Sequence, residues 1–363
     1  MSSIVKTRLN EGCEYRERLG PDADGRTLLV YLSRHYHHSS PEEWEARIAS
    51  GLVLVDSLPA HSDTLLRSGS ELVWQRPPWI EPDAPRSFSI LYEDEDLLAV
   101  AKPAGLPTLP GANFLQATLL HLVRAYAPEA APLHRLGRWT SGLVLCSRNQ
   151  TARTALMRQW SANRIGKRYR ALASGLPVQD EMTIATPIGP VPHALLGTIH
   201  AADPQGKPAL SYVAILERRQ DSFLCDVRIE TGRPHQIRIH LAAAGHPLVG
   251  DPLYGAGGLP RPDTQALPGD PGYNLHAAEL SILHPRTGRE LVFECEPPPL
   301  LRSSIPANWI PPAPAGGGMR NSREVAFLKG ATGSCRWGLH EKAVDHGVPF
   351  LRLSHGHFPN FPP

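Results

Sequence analysis

ETGRPHQIRIHLAAAGHPLVGDPLYG, residues 230–255, sets Arg233, His235, Gln236, Arg238 and His240 within a few positions and then bends repeatedly at glycines and prolines. Side chains of this kind, crowded this closely, are poor packing material and good chemistry. Two upstream segments have the same character. PLHRLGRWTSGLVL (132–145) joins charged residues, glycines and a Thr-Ser pair to a strand that reads as buried, the pattern of a functional loop on a rigid support. RIGKRYRALASG (164–175) sets Tyr169 among basic residues at the start of a strand.

The surroundings of these segments define an α+β chain. Apolar residues make up 41% of the 363 positions and charged residues 20%, a globular balance with room for more than one core. Leu28, Leu29 and Leu32 fall at helical spacing. Ser40, Pro41 and Glu43 spell an N-cap, a first helical position and a capping-box partner, and Gly51 closes that helix before the strand LVLV. ELVW (71–74) adds another strand, completing a small α/β module over residues 24–77 behind a tail at 1–23. Prolines make 78–87 a stiff, extended linker. From residue 88 to 302, alternating strands and helices predict a second domain with a mixed, largely antiparallel sheet. The helices there are QATLLHLVRAYA (116–127) and TARTALMRQWSAN (151–163). PPAPAGGG (311–318) lies within the last segment, 303–363, which reads as a poorly ordered tail.

Several function classes fall away. Apolar runs are short and interrupted by charge, so no membrane-spanning helix is expected, and MSSIVKTRLNEG lacks the apolar core of a secretory signal. A cytoplasmic location is the expectation. Five scattered cysteines argue against a disulfide framework and a thiolate zinc site. The clusters His35, His37, His38 and His355, His357 lack further ligands at metal spacing, so no metal is expected. The net charge of +2 is uninformative, but its distribution is not. Residues 130–179 hold no acid and nine bases: Arg135, Arg138, Arg148, Arg153, Arg158, Arg164, Lys167, Arg168 and Arg170. A polyanion is the favoured partner, the alternative being a face whose acids come from elsewhere in the fold. Without a helix-turn-helix or zinc pattern, DNA is the weaker choice.

The three segments, with EDEDLLAVAKPAGLPT (93–108) before them and LHAAELSILHP (275–285) after, resemble in order and spacing the catalytic domain of the RluA-type RNA pseudouridine synthases. The module at 24–77 is similar to the S4 RNA-binding domain, with a less basic helix. The resemblance implies a pseudouridine synthase fold, isomerisation of uridine in ribosomal or transfer RNA, no cofactor and a monomeric state. It implies that Arg135 fills the space of an extruded base, that Tyr169 stacks on the uracil and helps the final proton leave, and that Arg238 pairs with the catalytic carboxylate. His134, Arg138, Thr140, Ser141, Lys167, Arg233, His235 and Gln236 complete the expected RNA-binding set. One position departs from the pattern. Where the family carries an aspartate, this chain has Gly137, which offers no oxygen, charge or nucleophile. Arg238 would then face no partner there, a costly state for a buried charge. Glu230 and Asp251 are poor candidates for replacing the lost carboxylate. Two readings stay open: an enzyme with a relocated carboxylate or variant chemistry, and an RNA-binding or ribosome-assembly protein that has lost the reaction.

Overall fold

The Ser40 hydroxyl accepts from the Glu43 N–H while the Glu43 carboxylate accepts from the Ser40 N–H, closing the capping box that opens helix α2. The computed structural model describes residues 9–303 apart from residue 263. All of the predicted tail 303–363 but Ser303, and with it Cys335, His355 and His357, lies outside the described residues, as do residues 1–8.

The N-terminal module consists of β1 (Cys13–Arg18), α1 (Leu28–His35), α2 (Pro41–Ala49), β2 (Val53–Val55), β3 (Leu58–Pro59) and β4 (Glu71–Arg76). Its sheet runs β1-β4-β2-β3, and the two helices bury Leu28, Tyr31, Leu32, Trp44 and Ile48 against it. The sequence places residues 1–23 in a tail; instead Cys13–Arg18 pairs along β4 from Cys13↔Arg76 to Arg18↔Glu71. CEYRER carries only charged or polar residues around one tyrosine, so alternation gave no strand signal, and backbone pairing with β4 decides the matter.

The expected linker, 78–87, carries no helix or strand and is anchored at its centre. Glu81 is buried, and its carboxylate accepts from the Asn10 side chain and from the backbone N–H groups of Gln116 and Ala117. Asn10 in turn accepts from the Trp79 N–H. These bonds pin residues 79–81 to both the N-terminal segment and the larger domain.

The larger domain has β5 (Ser89–Glu93), β6 (Leu97–Lys102), α3 (Leu119–Tyr126), β7 (Ala131–Pro132), β8 (Ser141–Ser147), α4 (Gln150–Ser161) and β9 (Gly166–Ser174). It continues through β10 (Glu181–Ile184), β11 (Ile188–His193), β12 (Gly197–Ala202), β13 (Ser211–Arg218), β14 (Ser222–Ile229), α5 (Gln236–Ala243), β15 (Leu275–Leu283) and β16 (Glu290–Glu294). One ten-stranded sheet runs β10-β13-β14-β9-β15-β8-β6-β5, with β16 on β15 and β7 on β8, while β11 and β12 form a separate hairpin. Central strands β6 and β8 bury nearly every side chain, which is why they read as continuous apolar runs rather than alternating ones.

The β8–β15 pair is the parallel one among the described ladders, aligning His276 with Ser141 and Ala277 with Gly142. Gly142 has φ +107°, and a side-chain carbon there would collide with the Ala277 carbonyl, so only glycine permits this approach. The crossing brings the 132–145 loop beside the 273–277 segment.

Candidate active site

The loop before β8 is held from beneath by Lys102. Its buried ammonium donates to the carbonyls of Pro103, Leu106 and Arg138 at 2.9, 2.7 and 3.1 Å. Thr108 adds a reciprocal pair with the Leu136 backbone. The loop therefore presents Arg135 and Gly137 outward from a fixed backbone.

Helix α5 positions the third segment. His235 precedes it at φ +54°, in the left-handed region, and the following residues Gln236–Ala242 are all buried. No helical stripe is legible here because a helix buried on every side has no polar face to mark its period. Arg238 projects from α5 into a closed ion pair: Nε donates to Asp251 Oδ2 at 2.7 Å and Nη2 to Oδ1 at 2.8 Å. Its third donor, Nη1, reaches the Pro268 carbonyl at 2.9 Å. The expectation that Arg238 lacks a partner is thus corrected. Asp251 supplies the carboxylate, and its Oδ1 also accepts from the Leu253 and Tyr254 N–H groups. Arg238 and these amide donors hold the Asp251 carboxyl below its ordinary range despite burial, which pushes the other way.

Asp251 nevertheless has no oxygen free for a ligand. Both oxygens are occupied, and the side chain is wholly enclosed. Tyr273 occupies the place beside Gly137. Its ring lies 4.1 Å from the Arg238 guanidinium carbon, and its hydroxyl is 3.4 Å from Thr140 Oγ1. A side-chain carbon at Gly137 would stand 2.9 Å from that hydroxyl and 3.4 Å from Thr140 Oγ1. Sequence reasoning missed Tyr273, which sits two positions ahead of LHAAEL in a stretch without a motif.

Tyr169 lies on β9 opposite Ala277 of β15 and packs against the same apolar cluster as Tyr273. Burial pushes its phenol up to about 12, so it keeps its proton across the physiological range. Arg135 is exposed, and its charge acts on His200 and His235. His235 is held down to about 3, chiefly by burial and then by Arg238 and Arg135. Tyr254 donates its only hydroxyl proton to the His200 carbonyl at 2.6 Å, so His235 Nδ1 must donate to Tyr254 at 2.7 Å. The neutral tautomer is fixed by this chain.

Much of the expected RNA-binding set is instead committed inside the fold. His134 stacks on Trp160 and its Nε2 accepts the Leu145 N–H at 3.0 Å; burial pushes it down to about 3. Gln236 donates to the Leu210 carbonyl and Ser211, and accepts from Thr231 and the Arg233 N–H. Lys167 is buried with its ammonium over Trp160. Arg138 donates to the carbonyls of Gly105 and Asp83, bracing the loop. Ser141 donates to His276 Nδ1, whose Nε2 donates to the Cys295 carbonyl. Arg233 is partly exposed and donates to the Pro208 carbonyl. Motif position alone does not separate these structural polar groups from ligand-facing ones.

The basic stretch divides likewise. Arg168 and Arg170 share Asp226, Arg168 also binds Glu279, and Arg148 pairs with Glu93, so acids from elsewhere in the fold neutralise three of the nine. Arg153 and Arg158 line a shallow depression on α4 with Gln150, Thr154 and Met157. Among the described residues, Asp94, Asp96 and His284 approach one another closely enough to share a cation. Their atoms are taken up by Tyr92, Arg286, Asn149 and backbone N–H groups, a network that closes the β5–β6 turn.

Comparison with known proteins agrees with this architecture. The family model described as RNA pseudouridylate synthase matches residues 96–243. An uncharacterised RNA pseudouridine synthase of Synechocystis sp. is 41% identical over 276 residues, covering 76% of this chain and 95% of that protein. RNA pseudouridine synthase 5 of Arabidopsis thaliana is 38% identical, over 81% of this chain and 95% of its own. A ribosomal large subunit pseudouridine synthase D of Neisseria meningitidis is 35% identical, over 76% of each chain. On these matches, and on the loop, helix and strand crossing that bring the motifs together, the chain belongs to the RNA pseudouridylate synthase family, whose members isomerise uridine in RNA.

Proposed function

We propose that this enzyme isomerises uridine in ribosomal or transfer RNA, as a cytoplasmic monomer that needs no metal or cofactor. The observation that carries the reading is the placement of the motif residues on neighbouring elements: exposed Arg135 shares the loop of Gly137, protonated Tyr169 lies opposite Ala277 beside β8, and the closed Arg238–Asp251 pair holds the Tyr273 ring whose hydroxyl faces Gly137. A uridine within structured RNA must leave its stack to react. Arg135, on the outward side of the loop, suits the vacated space. Tyr169 suits a face-on contact with the extruded uracil, and its hydroxyl suits passing on the proton that the base loses last.

The N-terminal module acts, in this reading, as an S4-like RNA-binding unit. Its β4 side carries exposed Tyr15 stacked on half-buried Trp74, with half-buried Arg47 4.8 Å over the Trp74 ring and Trp44 buried in the core beneath. Arg153 and Arg158 on α4 add positive charge on the larger domain. Such surfaces hold backbone phosphates and give salt-sensitive affinity.

The test is pseudouridine mapping across total RNA from cells with and without the chain. Loss of defined ribosomal or transfer RNA sites, restored by the wild-type chain and not by Tyr169→Phe, is the expected result. An unchanged map together with retained, salt-sensitive RNA binding would instead mark an RNA-binding protein on a retired enzyme scaffold.

A further inference from the structure

The reaction needs a group at the sugar carbon that is released from uracil N1 and then rejoined to C5. A glycine at 137 cannot supply it. Asp251 cannot reach it, because Arg238 and two backbone N–H groups occupy its oxygens and no part of its side chain is exposed. Residues 130–179 contain no acid, and Asp270, whose charge reaches Arg138 next to Gly137, accepts from the Leu267 N–H.

One oxygen does stand where side-chain atoms of residue 137 would be. The Tyr273 hydroxyl lies 2.9 Å from the position of a first side-chain carbon on Gly137, and Gly137 itself is exposed. The ring is held tightly. Arg238 lies against its face at 4.1 Å and is itself fixed by Asp251 and the Pro268 carbonyl. The close backbone approach of Gly250 and Gly272, where a side-chain carbon on either would strike the other's carbonyl, brings residue 273 to the Arg238 pair. Thr140 Oγ1 lies 3.4 Å from the hydroxyl on its other side. The Arg238–Asp251 pair thus positions a phenol rather than a carboxylate at Gly137.

We infer that the Tyr273 hydroxyl is the nucleophile at the reacting sugar carbon, taking the role that a carboxylate at position 137 plays in the family pattern. The inference rests on the uridine isomerase activity proposed above. Tyrosine is a known nucleophile at a sugar carbon, as in sialidases. The steps balance without a co-reactant. The Tyr273 oxygen bonds to C1′ as the C1′–N1 bond breaks, its electron pair leaves with the uracil, and the phenolic proton moves to the base. The base turns, and its C5 attacks C1′ as the bond to the Tyr273 oxygen breaks. The C5 proton is then lost, restoring the phenol, and the product is pseudouridine. The mutual exclusion of an aspartate at 137 and the phenol oxygen follows from the 2.9 Å approach.

Tyr273→Phe removes one oxygen and keeps the ring on Arg238. With an RNA carrying a uridine that the wild-type enzyme modifies, its single-turnover rate should fall about 100-fold or more. RNA affinity should stay within about threefold of wild type, and Tm should be unchanged, because the packing is retained. A wild-type rate in Tyr273→Phe overturns the role. A slower rate matched by lost RNA affinity or a lowered Tm also overturns it, since the hydroxyl would then be structural. The Gly137→Asp/Tyr273→Phe double variant gives a second reading. A rate regained over Tyr273→Phe places both oxygens at one reacting carbon, whereas no gain counts against the role. A wild-type chain that forms no pseudouridine in any cellular RNA would remove the activity itself, an outcome separable from a failure of Tyr273 alone.

Discussion

Arg238 and Asp251 form a two-point ion pair at 2.7 and 2.8 Å with 2% and 0% of their side chains exposed. Charges this deeply enclosed are tolerable only together. Asp251→Asn or Arg238→Ala should therefore each destabilise the domain by about 3–5 kcal/mol, because each strands the surviving charge. The paired replacement Arg238→Met/Asp251→Leu should cost less than the sum of the two single replacements. Urea unfolding of the three variants checks this; strict additivity would mean that the pair is not coupled.

Lys102 holds three carbonyls of the loops at 103–106 and 138. Lys102→Met keeps the stem and removes the donors, leaving buried acceptors unsatisfied. The expected cost is about 2–4 kcal/mol, with greater protease sensitivity near residues 103–110. A Tm equal to wild type would show that the loop has another anchor.

Gly142 lies at φ +107° against the Ala277 backbone. Gly142→Ala strains its own backbone and separates β8 from β15. A destabilisation of about 2 kcal/mol or more is expected, together with loss of activity, since the crossing sets the 137–141 loop beside Tyr273. Equilibrium unfolding and a turnover assay check both parts.

His134 and His235 are each held down to about 3 in the folded chain, chiefly by burial, from an ordinary value of 6.5. Both must be neutral to fold, whereas the unfolded chain takes up their protons near that ordinary value. Their contribution is therefore complete above pH 6.5 and is lost as pH falls toward about 3. Tm should decline across that window, and His134→Gln should decline less steeply than wild type. An identical slope would remove His134 from the acid response.

Arg135 is exposed at the loop, while Tyr169 is partly buried on β9. Arg135→Ala should lower turnover without unfolding, because the side chain contributes little to the core. Tyr169→Phe should abolish activity while leaving RNA binding largely intact, a split read by filter binding beside the turnover assay. Full activity in Tyr169→Phe would show that the hydroxyl is dispensable.

The sequence by itself determined the elements whose signals are local. The capping box at Ser40–Glu43, the apolar runs of β6 and β8 and the order of the motifs could all be read directly, because each depends on neighbours within a few residues. It also exposed the departure at Gly137. Where the motif side chains point emerges only on packing. His134 and Gln236 share motifs with Arg135 and Arg238, yet their hydrogen bonds are made inside the fold, and Lys167, in the motif of Tyr169, is buried over Trp160. The strand Cys13–Arg18 has no apolar alternation and exists because β4 offers it a ladder. The partner of Arg238 and the oxygen beside Gly137 come from Asp251 and Tyr273, respectively 13 residues on and 136 residues on along the chain (251 − 238 and 273 − 137). No periodicity or spacing encodes such approaches, since the parallel crossing of β8 on β15 and the fold of residues 250–273 around Arg238 create them only once the chain is packed.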